Sequence, residues 1–122
     1  MDKHSIVNLF HIVFLVPLFL YVGIQKTETV STVFNILLGL GIVVFLYHSY
    51  KAYIRYVTGS SLLWINLLHA FYVAPLLFYI GMKKETTPRS AFEILLLFAF
   101  AAGGYHLYEL AAYTAWKTKT PE

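Results

Sequence analysis

Residues 8–50 of this chain recur 58 positions later, at 66–108, without a gap. The identities that carry weight are not the leucines, which mean little in so apolar a chain. They are Asn8/Asn66, His11/His69, Pro17/Pro75, Tyr21/Tyr79, Gly23/Gly81, Lys26/Lys84, Thr29/Thr87, Tyr47/Tyr105, His48/His106 and Tyr50/Tyr108. A repeat of this period is one supersecondary unit used twice, and it limits the fold before any other feature is read. The repeats are taken as residues 5–57 and 63–115 within a single domain, 1–122.

The medium follows from charge. Only 12% of the 122 residues are charged, against about 25% in an ordinary water-soluble domain. Hydrophobic residues make up 59% and aromatics 18%, and the mean hydropathy is +0.67. These values predict an integral membrane protein. With no cysteine, a disulfide framework, Cys-ligated zinc and thiolate-held iron–sulfur clusters are excluded. The formal net charge of +3 resides at expected helix ends, which suits a membrane surface and supplies no basic face for nucleic acid.

Four apolar stretches are each long enough to cross a hydrocarbon core of ~30 Å. The first, Ser5 to Ile24, is too long for a signal-peptide core and lacks a small-x-small cleavage site, so it is read as a retained span. Pro17 in its middle predicts a kink. The polar turn QKTETVST leads to a second span, Val33 to about Tyr56, where Gly39 and Gly41 are expected to permit close helix approach. After VTGSS comes the third span, Leu62 to Met82, with Pro75 repeating Pro17. The turn KKETTPR precedes the fourth span, Ser90 to about Trp116. The fold class expected is all-α: four transmembrane helices in an up-down bundle, built from two helical hairpins. Because each hairpin returns to its starting side, the repeats should be parallel, related by an axis along the membrane normal. Both termini then share one side. Five Lys and Arg on that side against four on the turn side are too few to fix the orientation, and the lean is towards cytoplasmic termini.

His11 and His48 are 37 residues apart, as are His69 and His106, and each pair is centred on a hairpin turn. Residues equidistant from a turn lie at one height, so the four histidines are expected in one layer near the side carrying the termini. Helical phase places them on inward stripes. Phe34, Gly41 and His48 are seven apart, as are Phe92, Ala99 and His106, the repeat of a packed seam.

Ionisable side chains inside a span are costly and point to function. Neutral imidazole is a versatile metal ligand, and two histidines on facing helices can hold a haem iron axially, a layout resembling that of b-type cytochromes. The leading expectation is therefore a haem b or transition-metal site (zinc, copper or iron) made by His11, His48, His69 and His106, in a redox or metal-handling role. Lys51 and Arg55, beyond His48, lie where haem propionates would seek cations. Asn8, Asn66, Tyr47, Tyr105, Glu109 and Lys51 are candidates for the surrounding shell. For the asparagines, helix-end hydrogen bonding is the competing role. Glu109 and its repeat mate Lys51 are expected to pair, and His4 to be solvated.

Two other readings compete. The histidines can form a path for protons or ions in a channel or transporter. Alternatively, they are interfacial anchors beside an aromatic belt of Tyr47, Tyr50, Tyr105 and Tyr108 in a structural membrane protein. The partner expected is the lipid bilayer, with homo-oligomers an open alternative. No span contains a deep lysine for a retinal Schiff base. Signals for an NTPase, serine hydrolase or HExxH metalloprotease are absent from the sequence.

Overall fold

The computed structural model describes residues 2–119, and every regular element among them is helical. Four long helices are present: α1 (Lys3–Glu28), α2 (Ser31–Val57), α3 (Leu63–Thr86) and α4 (Arg89–Lys119). All four are long and apolar enough to cross a membrane. Large side chains such as Phe14, Leu46, Phe71, Leu97 and Phe100 are exposed, a surface suited to acyl chains and costly in water.

The prolines act through a widened turn. Within α1, His11–Leu15 is π-helical, and the Val16 amide donates to the carbonyl of His11 rather than to the nearer Ile12. Within α3, His69–Val73 does the same, with Ala74 donating to His69. Pro17 and Pro75 follow at once. A proline ring clashes with the carbonyl of the preceding turn and has no N–H to offer it. One wide turn ahead of the ring accommodates both problems. In both helices the wide turn starts at the histidine.

The turn after each proline helix also repeats. Lys26 and Lys84 adopt positive φ, 52° and 51°. A side chain in that region costs on the order of 1–3 kcal/mol. The carbonyls so presented are used: Lys26 accepts from the Thr29 amide at 3.1 Å and its hydroxyl at 2.7 Å, and Lys84 accepts from the Thr87 amide at 3.1 Å. Thr29 and Thr87 are both buried.

Contacts sort the chain into two compact units that cross the repeat boundaries. One joins α2 and α3 (Gln25–Phe92); the other joins α1 as far as Ile24 with α4 from Glu93. In the α2/α3 unit, a left-handed Gly59 (φ 69°) ends α2, with the Ser60 amide donating back to the Arg55 carbonyl at 2.9 Å. The helices then touch backbone to backbone. A Cβ on Gly41 would lie 2.8 Å from the Phe78 nitrogen, and one on Gly81 would lie 2.6 Å from the Leu38 nitrogen. Gly39, expected to share this role, has nothing within 4 Å of such a Cβ. It sits on the outer face because it is two residues, roughly 200° of helical rotation, away from Gly41. Phe34, Leu37, Leu77, Ile80 and Phe92 are buried in this unit. The rings of the repeat mates Phe34 and Phe92 lie 6.5 Å apart, and the tight turns Lys26–Glu28 and Lys84–Thr86 also meet.

In the α1/α4 unit, Phe19, Val22, Leu95 and Ala99 are buried, and Gly103 packs against Val16. In lipid, helix association rests on such close packing and on polar links, since hydrocarbon solvates leucine as well as protein does.

This distinction can be measured. Gly41→Ala and Gly81→Ala should each lower stability by about 1–3 kcal/mol, the usual cost of overpacking. Gly39→Ala should be neutral or slightly stabilising, because alanine is the better helix former. Unfolding of the three variants in detergent micelles checks this; equal effects at Gly39 and Gly41 would remove the close-approach assignment.

Candidate functional site

The structure brings the four histidines together two by two. In the α2/α3 unit the His48 and His69 rings stack, with centroids 4.2 Å apart and an interplanar angle of 16°. In the α1/α4 unit His11 and His106 stack at 4.1 Å and 22°. Offset by 58 residues, His48 and His69 become His106 and the repeat mate of His69, which is His11. The same contact is therefore built twice, once in each unit. His106 is buried, and the other three are half-buried.

Hydrogen bonds fix the rings. His11 donates from Nδ1 to the Val7 carbonyl at 2.8 Å, and His69 from Nδ1 to the Ile65 carbonyl at 2.7 Å. Both bonds run to the carbonyl four residues back on the same helix, one turn before the wide π segment. The partner histidines are held by asparagines across the helix pair. Asn66 on α3 donates from Nδ2 to His48 Nδ1 at 2.9 Å. Asn8 on α1 accepts at Oδ1 from His106 Nδ1 at 2.7 Å. Helix-end hydrogen bonding, the competing role expected for these asparagines, is not what they do. Each is three residues from a histidine on its own helix but serves the imidazole of the neighbouring helix. Both are buried.

The remaining neighbours differ between the units. Near His48, the Arg55 guanidinium donates to Asn66 Oδ1 at 2.6 Å and to the Leu62 carbonyl at 3.4 Å. The cation that reaches this pair is thus Arg55, acting through Asn66, whereas Lys51 is half-buried on α2 three residues beyond His48. Tyr47 meets His48 edge-on at 5.1 Å, and Tyr105 meets His106 in the same way at 5.3 Å.

In the α1/α4 unit the partner of Glu109 is His4, whose Nε2 lies 3.3 Å from the carboxylate. His4 also packs its ring against Tyr113 at 5.3 Å, so it is engaged rather than merely solvated. Asp2 caps α1, accepting from the Ser5 amide at 2.9 Å. Its carboxylate also takes a hydrogen bond from Tyr113 and faces Lys117 Nζ at 3.5 Å. The Ser5 amide first, then Tyr113 and Lys117, hold the Asp2 carboxyl well below the usual aspartate range.

What the pairs can do follows from ring geometry. Imidazole lone pairs lie in the ring plane, and two nearly parallel stacked rings do not aim at a common point one metal–nitrogen bond, ~2.0–2.1 Å, away. Among the described residues, no group of three or more His, Asp or Glu side chains is placed to hold a metal ion. Each stack does place two proton-accepting rings face to face. Sequence reasoning reached all four histidines and both asparagines, and missed Arg55 as the partner of Asn66. The signal was present: Arg55 and Asn66 flank the glycine turn, each within one helical turn of its helix end. Comparison with known protein families, characterised proteins and solved structures gives no match.

The Asp2 cap makes a pH prediction. Because its native pKa is depressed, its stabilisation is fully present above the unfolded-state value of about 3.9 and is lost as pH falls through the native value. Melting of wild type and Asp2→Asn in detergent should differ by a constant amount above about pH 5. That gap should narrow progressively below about pH 4. A gap unchanged down to pH 2.5 would show that the carboxylate charge is not what the cap uses.

Proposed function

We propose that this is a multi-pass membrane protein of the channel or transporter class, in which two imidazole pairs accept and release protons. The up-down arrangement of two parallel hairpins, with both termini on one side, is part of the proposal. It is supported by repeat mates meeting one another: Phe34 against Phe92, and turn against turn. Equivalent positions approach each other only near a twofold axis.

The observation that carries the functional reading is the stacked pair held by an asparagine across two apolar helices. As anchors, the histidines would need no partner. As packing, a pair of phenylalanines would fill the same space without bringing polar atoms into hydrocarbon, where each ionisable group is expensive. The same costly device occurs in both units, with every Nδ1 hydrogen-bonded. With Nδ1 so engaged, we assign proton exchange to Nε2. A ring that gains a proton places its charge over the π face of its partner, a favourable contact. A second proton would set like charges about 4 Å apart, costing on the order of 4 kcal/mol at an effective dielectric of 20. Each pair is therefore a carrier of one proton.

A haem or transition-metal site is the second reading, and one observation favours it. His11, His69 and His106 each donate Nδ1–H to an oxygen, the outer contact that metal-bound imidazoles characteristically make. On this reading the stacked rings turn apart on binding.

Purified protein in liposomes with an internal pH dye separates the readings. Proton flux that falls at least tenfold in the double variant His48→Ala, His106→Ala is the expected result. Flux equal to that of empty liposomes overturns the proton reading. A Soret band, or stoichiometric metal in the detergent-purified protein, puts the metal reading in its place.

A further inference from the structure

The two histidine pairs match in sequence and in stacking, yet their asparagines face opposite ways. Asn66 turns its amide nitrogen to His48, while Asn8 turns its oxygen to His106. An amide nitrogen only donates and an amide oxygen only accepts. His48 must therefore carry a lone pair at Nδ1 and its proton at Nε2. His106 must carry its proton at Nδ1 and the lone pair at Nε2. The imidazoles occupy opposite tautomers.

The cause is one residue. Arg55 has five donors and no acceptor, so the amide atom facing it must be oxygen. At 2.6 Å that contact pins Asn66, and the nitrogen is left for His48. The repeat mate of Arg55 is Tyr113, whose hydrogen bond goes to Asp2. No guanidinium fills the corner beside Asn8, and the buried Asn8 Nδ2 has no hydrogen-bond partner. No such donor holds the Asn8 amide, and its oxygen lies 2.7 Å from His106 Nδ1.

We propose that Arg55 is a positioning residue that sets the tautomer of His48 through Asn66, and that the two pairs are thereby different sites. His11 and His106 both hold the proton at Nδ1, so the α1/α4 pair joins two rings of one tautomer. His69 holds it at Nδ1 and His48 at Nε2, so the α2/α3 pair joins two rings of opposite tautomer. A proton added to either pair therefore starts from a different arrangement of donors and acceptors. The consequence for function rests on the proton or metal reading above; the tautomer assignment does not.

The test is a long-range 15N–1H correlation spectrum of 15N-histidine-labelled protein in bicelles at a pH where the rings are neutral. Signals are assigned by single His→Gln variants. The spectrum distinguishes Nδ1–H from Nε2–H rings directly, independently of any transport assay. His48 should show the Nε2–H pattern, and His11, His69 and His106 the Nδ1–H pattern. Arg55→Tyr, which copies the α4 residue, should convert His48 to Nδ1–H. Arg55→Lys, still a donor without an acceptor, should leave His48 as in wild type. Unchanged His11 and His106 signals in both variants report an intact fold. The proposal is overturned if His48 and His106 show one tautomer in wild type, or if Arg55→Tyr leaves His48 at Nε2–H. Wild-type flux no greater than that of empty liposomes, with the tautomers as assigned, would overturn the functional reading and leave this one standing.

Discussion

An asparagine amide facing an imidazole across two helices is the contact on which each half of this molecule depends. A polar side chain buried between apolar helices is satisfied by protein or is left unpaired at a cost. Asn66 meets that requirement at both ends, with His48 on one side and Arg55 on the other. In lipid, apolar packing alone holds helices together weakly, because hydrocarbon competes on equal terms for every leucine. The link to Asn66 gives the pair a fixed register, and the glycine contacts at Gly41 and Gly81 bring the backbones close enough to form it.

The prolines belong to the same device. A helix that carries Asn8, His11 and then Pro17 must present the first two to a neighbour and still clear the pyrrolidine ring. The wide turn at His11–Leu15 achieves both, and the one at His69–Val73 does so again. It rotates the N-terminal part of each helix relative to the rest, so the histidine's direction is set partly by a proline six residues later. The lysine turns at positive φ have the same character. Strain at Lys26 and Lys84 is offset by threonine hydrogen bonds and occurs at equivalent places.

Much of this was legible beforehand. Four apolar stretches of sufficient length gave the helices, and spacing by seven put Phe34, Gly41 and His48 on one face. Phe34 and Gly41 are buried and His48 half-buried, while Phe92, Ala99 and His106 are all buried. What was not legible was which helix packs with which. In helices apolar on every side, periodicity carries little information about the neighbour, and Gly39 and Gly41 look alike until one backbone approaches. The histidines and asparagines that meet stand out in the sequence, whereas their pairing does not. Asn8 and His106 are 98 residues apart, and only the repeat connects that contact to the one between Asn66 and His48.

That connection also shows how a duplicated site can diverge without losing a single one of its histidines. Between the units the imidazoles, asparagines and adjacent tyrosines are the same, while Lys51 and Arg55 are replaced by Glu109 and Tyr113. Neither replacement lies in the stack. An amide, however, is a two-ended group, and in a low-dielectric setting its orientation is decided by whichever neighbour has the least choice. Arg55, which can only donate, has none. Its presence fixes an oxygen, the oxygen fixes a nitrogen, and the nitrogen fixes where a ring two bonds away keeps its proton. A substitution about two turns from the histidine therefore changes its chemistry while leaving its position and packing intact.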